Sequence, residues 1–224
     1  MISSCPADVL KQLKDPPYNV SRETFEKINI YVSVLLQENK THNLIGKSTE
    51  DDIWHRHILD SLQLLSYIKN DPQYSILDLG SGAGLPGVLL SFVLKHTVTL
   101  LDARQKKCFF LENVSRETFS PFQVVWSRIE DHLQRYDMIV SRGFAAVDKT
   151  LSLAYKNIAP DGVFLLLKGK TAMQEIKEAQ KKWDFHFERY SSITNKEGCI
   201  LRLTQIKKKH DSYYQHCKSK RGRR

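Results

Sequence analysis

The stretch Ser75-Ile-Leu-Asp-Leu-Gly-Ser-Gly-Ala-Gly-Leu-Pro-Gly87 decides how this chain folds. Ile76, Leu77 and Leu79 make an apolar strand, the alternating glycines Gly80, Gly82 and Gly84 end it, and Pro86 opens an apolar helix. Glycines at such a turn let the backbone reverse sharply and approach a ligand closely, because no Cβ intervenes. The helix behind them presents unpaired N–H groups and the positive end of its dipole. This pattern predicts a site for an adenosine-containing cofactor, and two cofactor classes satisfy it. A literal G-x-G-x-x-G is read at Gly82, Gly84 and Gly87, as in NAD-binding folds. Asp78, two residues ahead of Gly80, instead completes Asp-x-Gly-x-Gly-x-Gly, the usual first motif of S-adenosylmethionine (SAM) methyltransferases. On the loop alone both readings stay open, as does a glycine-rich turn of some other α/β protein.

Outward from the loop, apolar strands are predicted at 75–79, 97–101, 123–126, 138–141 and 163–167, alternating with helices near 86–94, 106–118, 148–157 and 172–182. That alternation implies an α/β fold with a mainly parallel sheet covered on both faces. The rhythm then changes. Residues 185–190 and 199–204 both read as strands, with no room for a helix between them, which predicts an antiparallel hairpin. A seven-stranded sheet closed by a reversed hairpin is the plan of class I methyltransferases with their Rossmann-like core, whereas a dehydrogenase half continues its βα alternation. The hairpin therefore favours SAM.

Ahead of the loop, Phe25, Ile28, Val32 and Leu35 recur at helical spacing over about 21–39, with Ser21 as N-cap and Glu23 in the first turn. A second amphipathic helix is predicted over about 51–67, with Trp54, Ile58, Leu62 and Leu65 on one face and Ser48 and Asp51 as a capping-box-like start. The expected organisation is an N-terminal helical extension (1–70), a SAM-binding core (71–206) and a basic tail (207–224). Of the net charge of +9, eight Lys/Arg and one acid in the tail supply +7, leaving +2 for residues 1–206. Lys207, Lys208, Lys209 and Arg221, with Tyr213 and Tyr214 nearby, suit a phosphate backbone and stacked bases.

The apolar runs at 88–94 and 163–167 are too short to cross a membrane, and the N-terminus lacks a basic start and apolar core, so a cytoplasmic chain is expected. Cys5, Cys108, Cys199 and Cys217 are scattered, which argues against a zinc site or a disulfide frame. His55 and His57 are two apart, so on a helix their imidazoles diverge rather than share a metal. Arg56 and His57 are expected to present to RNA or to solvent.

Asp102 ends the second strand, where an acid accepts hydrogen bonds from ribose hydroxyls or caps the following turn. Ile129 and Glu130 follow the third strand, where adenine is usually contacted. Arg142 and Phe144 follow the fourth strand beside the switch point at which open α/β sheets bind ligands. No Asn/Asp-Pro-Pro-Tyr tetrapeptide stands there, and no Cys next to Pro, so amine and cytosine-C5 methylation are both disfavoured. Arg142 offers a fixed fork for a carboxylate or phosphate. Lys168, ending the fifth strand, is placed to take a phosphate at the rim, and Phe144 either stacks on a base or packs in the core.

Several of these segments together resemble one family, the GidB/RsmG methyltransferases of guanine N7 in 16S ribosomal RNA. The resemblance rests on Asn43-Leu-Ile45, on Ile53-Trp-His-Arg-His-Ile-Leu-Asp-Ser-Leu62, and on Asp78 through the unusual Gly-Leu-Pro-Gly87. Leu101-Asp-Ala-Arg-Gln-Lys-Lys107, Ser141-Arg-Gly-Phe144 and Leu167-Lys-Gly169 follow in order, and the match covers roughly 20–205. Ala103 and Gly143 depart mildly from it, standing where Ser and Ala are expected. The resemblance implies SAM held at Gly80, Leu85, Ile129, Glu130 and Arg142. It further implies a guanosine of 16S RNA or the small subunit as substrate, and no need for a general base. A methyltransferase with another RNA target, or a non-catalytic RNA-binding module on the same fold, is the alternative. A monomer is expected.

Overall fold

The computed structural model describes residues 4–69 and 73–209. Seven strands form one sheet: β1 (Ser75–Leu79), β2 (Thr97–Asp102), β3 (Gln123–Trp126), β4 (Tyr136–Arg142), β5 (Ile158–Lys168), β6 (Trp183–Ser191) and β7 (Cys199–Lys208). Their order is β3-β2-β1-β4-β5-β7-β6. The first five strands run parallel, and β7 lies antiparallel to both β5 and β6. The α/β sheet with its reversed closing hairpin is therefore as the sequence predicts.

Period-two alternation divides the apolar residues between the two faces. Ile76, Val98, Leu100, Met138, Val140 and Leu165 enter one core, while Leu77, Leu79, Leu101, Ile139, Phe164 and Leu166 enter the other. Helices α1 (Ala7–Lys14), α2 (Arg22–His42), α3 (Gly87–Val93) and α4 (Gln105–Glu117) supply the first core, and α5 (Val147–Ala154) and α6 (Ala172–Ala179) the second. Ser21 caps α2, its hydroxyl accepting the Thr24 N–H at 3.1 Å.

Several details differ from expectation. The segment 54–67 is not one regular helix but a π-helical stretch (Trp54–Leu59), one α-turn (Asp60–Leu62) and a 3-10 turn (Gln63–Tyr67). No capping box starts it, for Lys47–Thr49 forms a separate 3-10 turn. β5 begins five residues early, because Ala159 through Gly162 bulge out between the pairs Tyr136–Ile158 and Met138–Val163. β7 continues past Thr204 to Lys208, absorbing a register shift against β6 with Gln205 at φ +55°. Lys207 and Lys208 are thus strand residues rather than the start of a tail, whereas Arg221, Tyr213 and Tyr214 lie outside the described residues. Among the described residues no helix is long and apolar enough to cross a membrane.

Candidate cofactor and nucleotide site

The glycine loop folds back over the end of β2. Gly80 and Ser81 N–H both donate to the Leu101 carbonyl, at 2.9 and 3.1 Å, and Gly82 N–H donates to Asp102 Oδ2 at 2.9 Å. Gly80 has φ +70°, and a Cβ there would stand 2.5 Å from the Phe144 ring, so only glycine lets Phe144 lie over the loop. Behind the loop, the fully buried Asp78 accepts the Gly87 N–H at 3.0 Å. Burial pushes its carboxyl up to about 7, against the opposing effect of that hydrogen bond.

A third support comes from α2. The buried Tyr31 hydroxyl donates to the Ala83 carbonyl at 2.7 Å, tying the helical layer to the loop. Burial raises the pKa of this phenol, so it stays a donor. Tyr31→Phe leaves that carbonyl without its partner at a cost of about 1–3 kcal/mol. We expect a lower melting temperature and weaker SAM binding by calorimetry, with no change in the pattern of bases methylated.

Two cavities, each about 410 Å³, open side by side at the carboxyl ends of the strands. Gly80, Asp102, Lys107, Ser127, Ile129 and Glu130 line the first. Asp102 is nearly buried, and each of its oxygens accepts one backbone N–H, from Gly82 and from Arg104. A carboxylate has about four acceptor positions, so two remain for the hydroxyls of a ribose. The volume suits a nucleoside-bearing cofactor. An acid ending β2, a loop with no Cβ at its closest approach and the apolar Ile129 together fit SAM.

Gly143 and Phe144 line both cavities and so form the wall between them. Arg142, Lys168, Glu175, Asp60, Asn195 and Cys199 line the second. Arg142 is held by the 54–67 segment: Nη1 donates to the Arg56 carbonyl at 3.0 Å and to Asp60 Oδ2 at 3.2 Å, and Nη2 to His57 Nδ1 at 2.7 Å. A guanidinium can only donate, so Nδ1 is the acceptor and His57 carries its proton on Nε2, facing Thr49 Oγ1 at 2.7 Å. Burial and the nearby Arg142 and Arg56 charges push His57 down to about 3, which keeps it neutral. On its far side Asp60 Oδ1 accepts from Thr194 Oγ1 and Gln63 Nε2 at 2.6 and 2.8 Å, linking the segment to the β6–β7 turn.

These positions revise several sequence expectations. Gly80, Asp102, Ile129 and Glu130 line the first cavity, and Arg142 the second. Asp78, Gly82, Gly84 and Leu85 line neither: they shape the loop from within. His57 does not face solvent or RNA, since both ring nitrogens are engaged and the residue is buried. Arg56 is exposed. The Lys168 ammonium pairs with Glu175 at 2.9 Å and donates to the Ala145 carbonyl, so its charge is already matched. Glu175 is held below its ordinary range by Lys168 and Thr171, despite the opposing effect of burial. Cys199 begins β7 beside the second cavity, while Lys207 and Lys208 end the same strand, roughly 25–30 Å away at about 3.3 Å per residue. Those lysines therefore lie far from the second cavity, although Lys208 lines a further pocket with Glu130 and Leu153, which also border the first. Lys209 pairs with Asp184 at 3.3 Å. His55 and His57 do diverge: His55 bonds Asp8 and Asp52, tying down α1. Ser127 opens the 127–130 segment that the sequence places at the adenine, whereas Lys107, Asp60 and Glu175 carried no role. Of these, only Lys107, five residues after Asp102 on the opening turn of α4, carried a usable positional signal.

A parallel sheet with a reversed hairpin, a glycine loop folded on the β2 acid and a ligand wall at the end of β4 define a class I SAM-dependent methyltransferase. Solved structures share the fold. A ribosomal protein L11 methylase from Lactobacillus delbrueckii subsp. bulgaricus superposes with a TM-score of 0.52 at 14% identity, covering 74% of this chain and 81% of that one. A methyltransferase from Pyrococcus furiosus gives a TM-score of 0.52 at 15% identity, covering 64% and 80%. At the level of sequence, the family model GidB, rRNA small subunit methyltransferase G, matches residues 24–204. Ribosomal RNA small subunit methyltransferase G of Rickettsia bellii is 39% identical over 190 residues, 85% of this chain and 98% of that protein. Its Rickettsia rickettsii counterpart is 40% identical over 189 residues, 84% and 98%. The chain belongs to the GidB family.

Proposed function

We propose that this chain transfers the methyl group of SAM to N7 of a guanosine in the 16S RNA of the small ribosomal subunit, acting in the cytoplasm as a monomer. The observation that carries the reading is the pair of cavities meeting at Gly143 and Phe144, one fitted to the cofactor and the other, of nucleotide size, beside it. SAM, when bound, supplies an electrophilic methyl group. Gly80, Asp102, Ile129 and Glu130 are the residues to hold its nucleoside, and Arg142, with its Nε–H and one Nη2–H not spent on Arg56, Asp60 or His57, its carboxylate or a neighbouring phosphate.

Guanine N7 offers a lone pair and carries no proton, so the protein has no base to supply and a base to position. Orientation of this kind can contribute about 7–11 kcal/mol. Phe144, fixed over Gly80, presents a ring on which the purine can stack. The purine becomes cationic as N7 is alkylated. In the second cavity Arg142 is matched by Asp60 and Lys168 by Glu175, so the wall carries no uncompensated cation to oppose that charge.

The test is transfer of labelled methyl from SAM to naked 16S RNA and to whole small subunits, with the modified base mapped by aniline cleavage at N7-methylguanosine. Label at one guanosine N7 is the expected result. Label on another base or another RNA would move the target. SAM binding without transfer would favour a non-catalytic RNA-binding module, and NAD binding in its place would overturn the cofactor.

A further inference from the structure

Trp126 is placed unlike the other tryptophans. Trp54 and Trp183 are 1% and 2% exposed, whereas Trp126 is 59% exposed. It is the last residue of β3, the edge strand of the sheet, and lies in register with Asp102. Its indole N–H donates to the Ala103 carbonyl at 3.2 Å, which anchors the polar edge of the ring to the turn after β2. The ring is thus oriented by the protein while much of its surface is left to solvent. Arg104 and Arg128, both exposed, flank it in the two turns it bridges, and both line the mouth of the cofactor cavity. Among the described residues, neither guanidinium has a carboxylate within 4 Å. The acids at the same mouth are Asp102, which faces the Gly82 and Arg104 N–H groups and Lys107 Nζ at 3.9 Å, and Glu130.

We propose that Trp126, Arg104 and Arg128 form a shelf at the outer rim of the cofactor cavity on which a nucleotide of the substrate RNA, adjacent to the target guanosine, stacks and is held by its phosphates. This rests on the RNA methyltransferase reading given above. An anchored aromatic face between unpaired guanidinium groups is the combination that binds single-stranded nucleic acid, with stacking to hold a base and cations to hold the backbone. Tryptophan and arginine are enriched in protein interfaces too, so comparing whole subunits with naked RNA decides between the two partners. The shelf also places two cations on the lining of the cofactor cavity itself.

Trp126 is also its own reporter, because the other two tryptophans are buried. With the protein saturated in S-adenosylhomocysteine, a 16S RNA fragment carrying the target guanosine is expected to quench tryptophan emission, and Trp126→Phe should abolish that response. Trp126→Ala is expected to raise KM for the RNA roughly 5- to 100-fold. Its kcat and S-adenosylhomocysteine affinity should stay as in the parent, and Trp126→Phe should recover part of the loss. Arg104→Gln and Arg128→Gln should each lower the slope of log affinity against log salt by about one. If the RNA binds and is methylated while emission and the Trp126→Ala KM stay unchanged, there is no shelf and the methyltransferase reading stands. If no RNA accepts methyl from the parent protein, the underlying reading falls instead. If Trp126→Ala weakens binding to whole subunits but not to naked RNA, the shelf meets a ribosomal protein and the proposal is overturned.

Discussion

Arg142→Ala is expected to lower methyl transfer at least a hundredfold while leaving a folded protein. The residue ends β4 at the wall between the two cavities, and three groups of the 54–67 segment hold its guanidinium. Alanine removes the fork that fixes a carboxylate or phosphate there, and even a single preorganised neutral hydrogen-bond donor removed from an active site typically costs about 10²- to 10³-fold in rate. The fold survives because Asp60 keeps Thr194 and Gln63, and the segment keeps Trp54, Ile58 and Leu62 in the core. The stability cost should be about 2 kcal/mol, the scale for a partly buried carboxylate losing one charged partner. Arg142→Lys restores the charge but not the fork, so it should recover less than a tenth of the lost activity. Calorimetry with SAM separates the roles. A loss of affinity matching the loss of kcat/KM places Arg142 on the cofactor, and unchanged affinity with a fallen kcat places it on the RNA. Undiminished turnover would remove it from the site.

The sheet was legible because its signals are local: alternating strands of buried β-branched and leucine residues, glycine punctuation, and a spacing too short for a helix before the last strand. The 54–67 segment was not, since periodicity of apolar residues cannot separate a 3.6-residue turn from a wider one. Trp54, His57, Ile58 and Leu59 are all buried, more of the circumference than one α-helical face supplies, and the π-helical stretch accommodates them. The Arg56 carbonyl in that stretch accepts from Arg142. Helix α1 was invisible because only Val9 and Leu13 are buried, a single i,i+4 pair. At the site, the residue types were legible but not their partners. Lys168 looks like a phosphate ligand until Glu175, on α6, is found against it. His57 looks solvent-facing until β4 delivers Arg142. Such pairings join residues 7 and 85 positions apart, and nothing in local pattern encodes them.

The two spellings of the glycine loop lead to the second large effect, on stability. Gly87 is the third glycine of the NAD-like reading, and in that motif it serves close packing of helix on strand rather than cofactor contact. It does the same here. A Cβ at Gly87 would stand 2.2 Å from Leu100 Cδ2, 2.6 Å from Asp78 Oδ2 and 2.7 Å from Asp78 Cβ. The obstacles belong to β1 and β2 in the centre of the sheet, so α3 must move away instead. That movement breaks the Gly87–Asp78 hydrogen bond and strips the buried carboxyl of its backbone donor. Overpacking costs about 1–3 kcal/mol and the orphaned buried group about as much again. Gly87→Ala should thus lose about 3–5 kcal/mol, lowering the melting temperature by roughly 10 °C for a chain of this size, with SAM binding lost alongside. Gly169→Ala is the control, since Gly169 follows β5 with nothing within 4 Å of its Cβ position, and it should stay within about 0.5 kcal/mol of the parent. Calorimetric melts of the two variants decide the point: equal melting temperatures would show that the loop tolerates a side chain at Gly87, and that Asp78 does not depend on that contact.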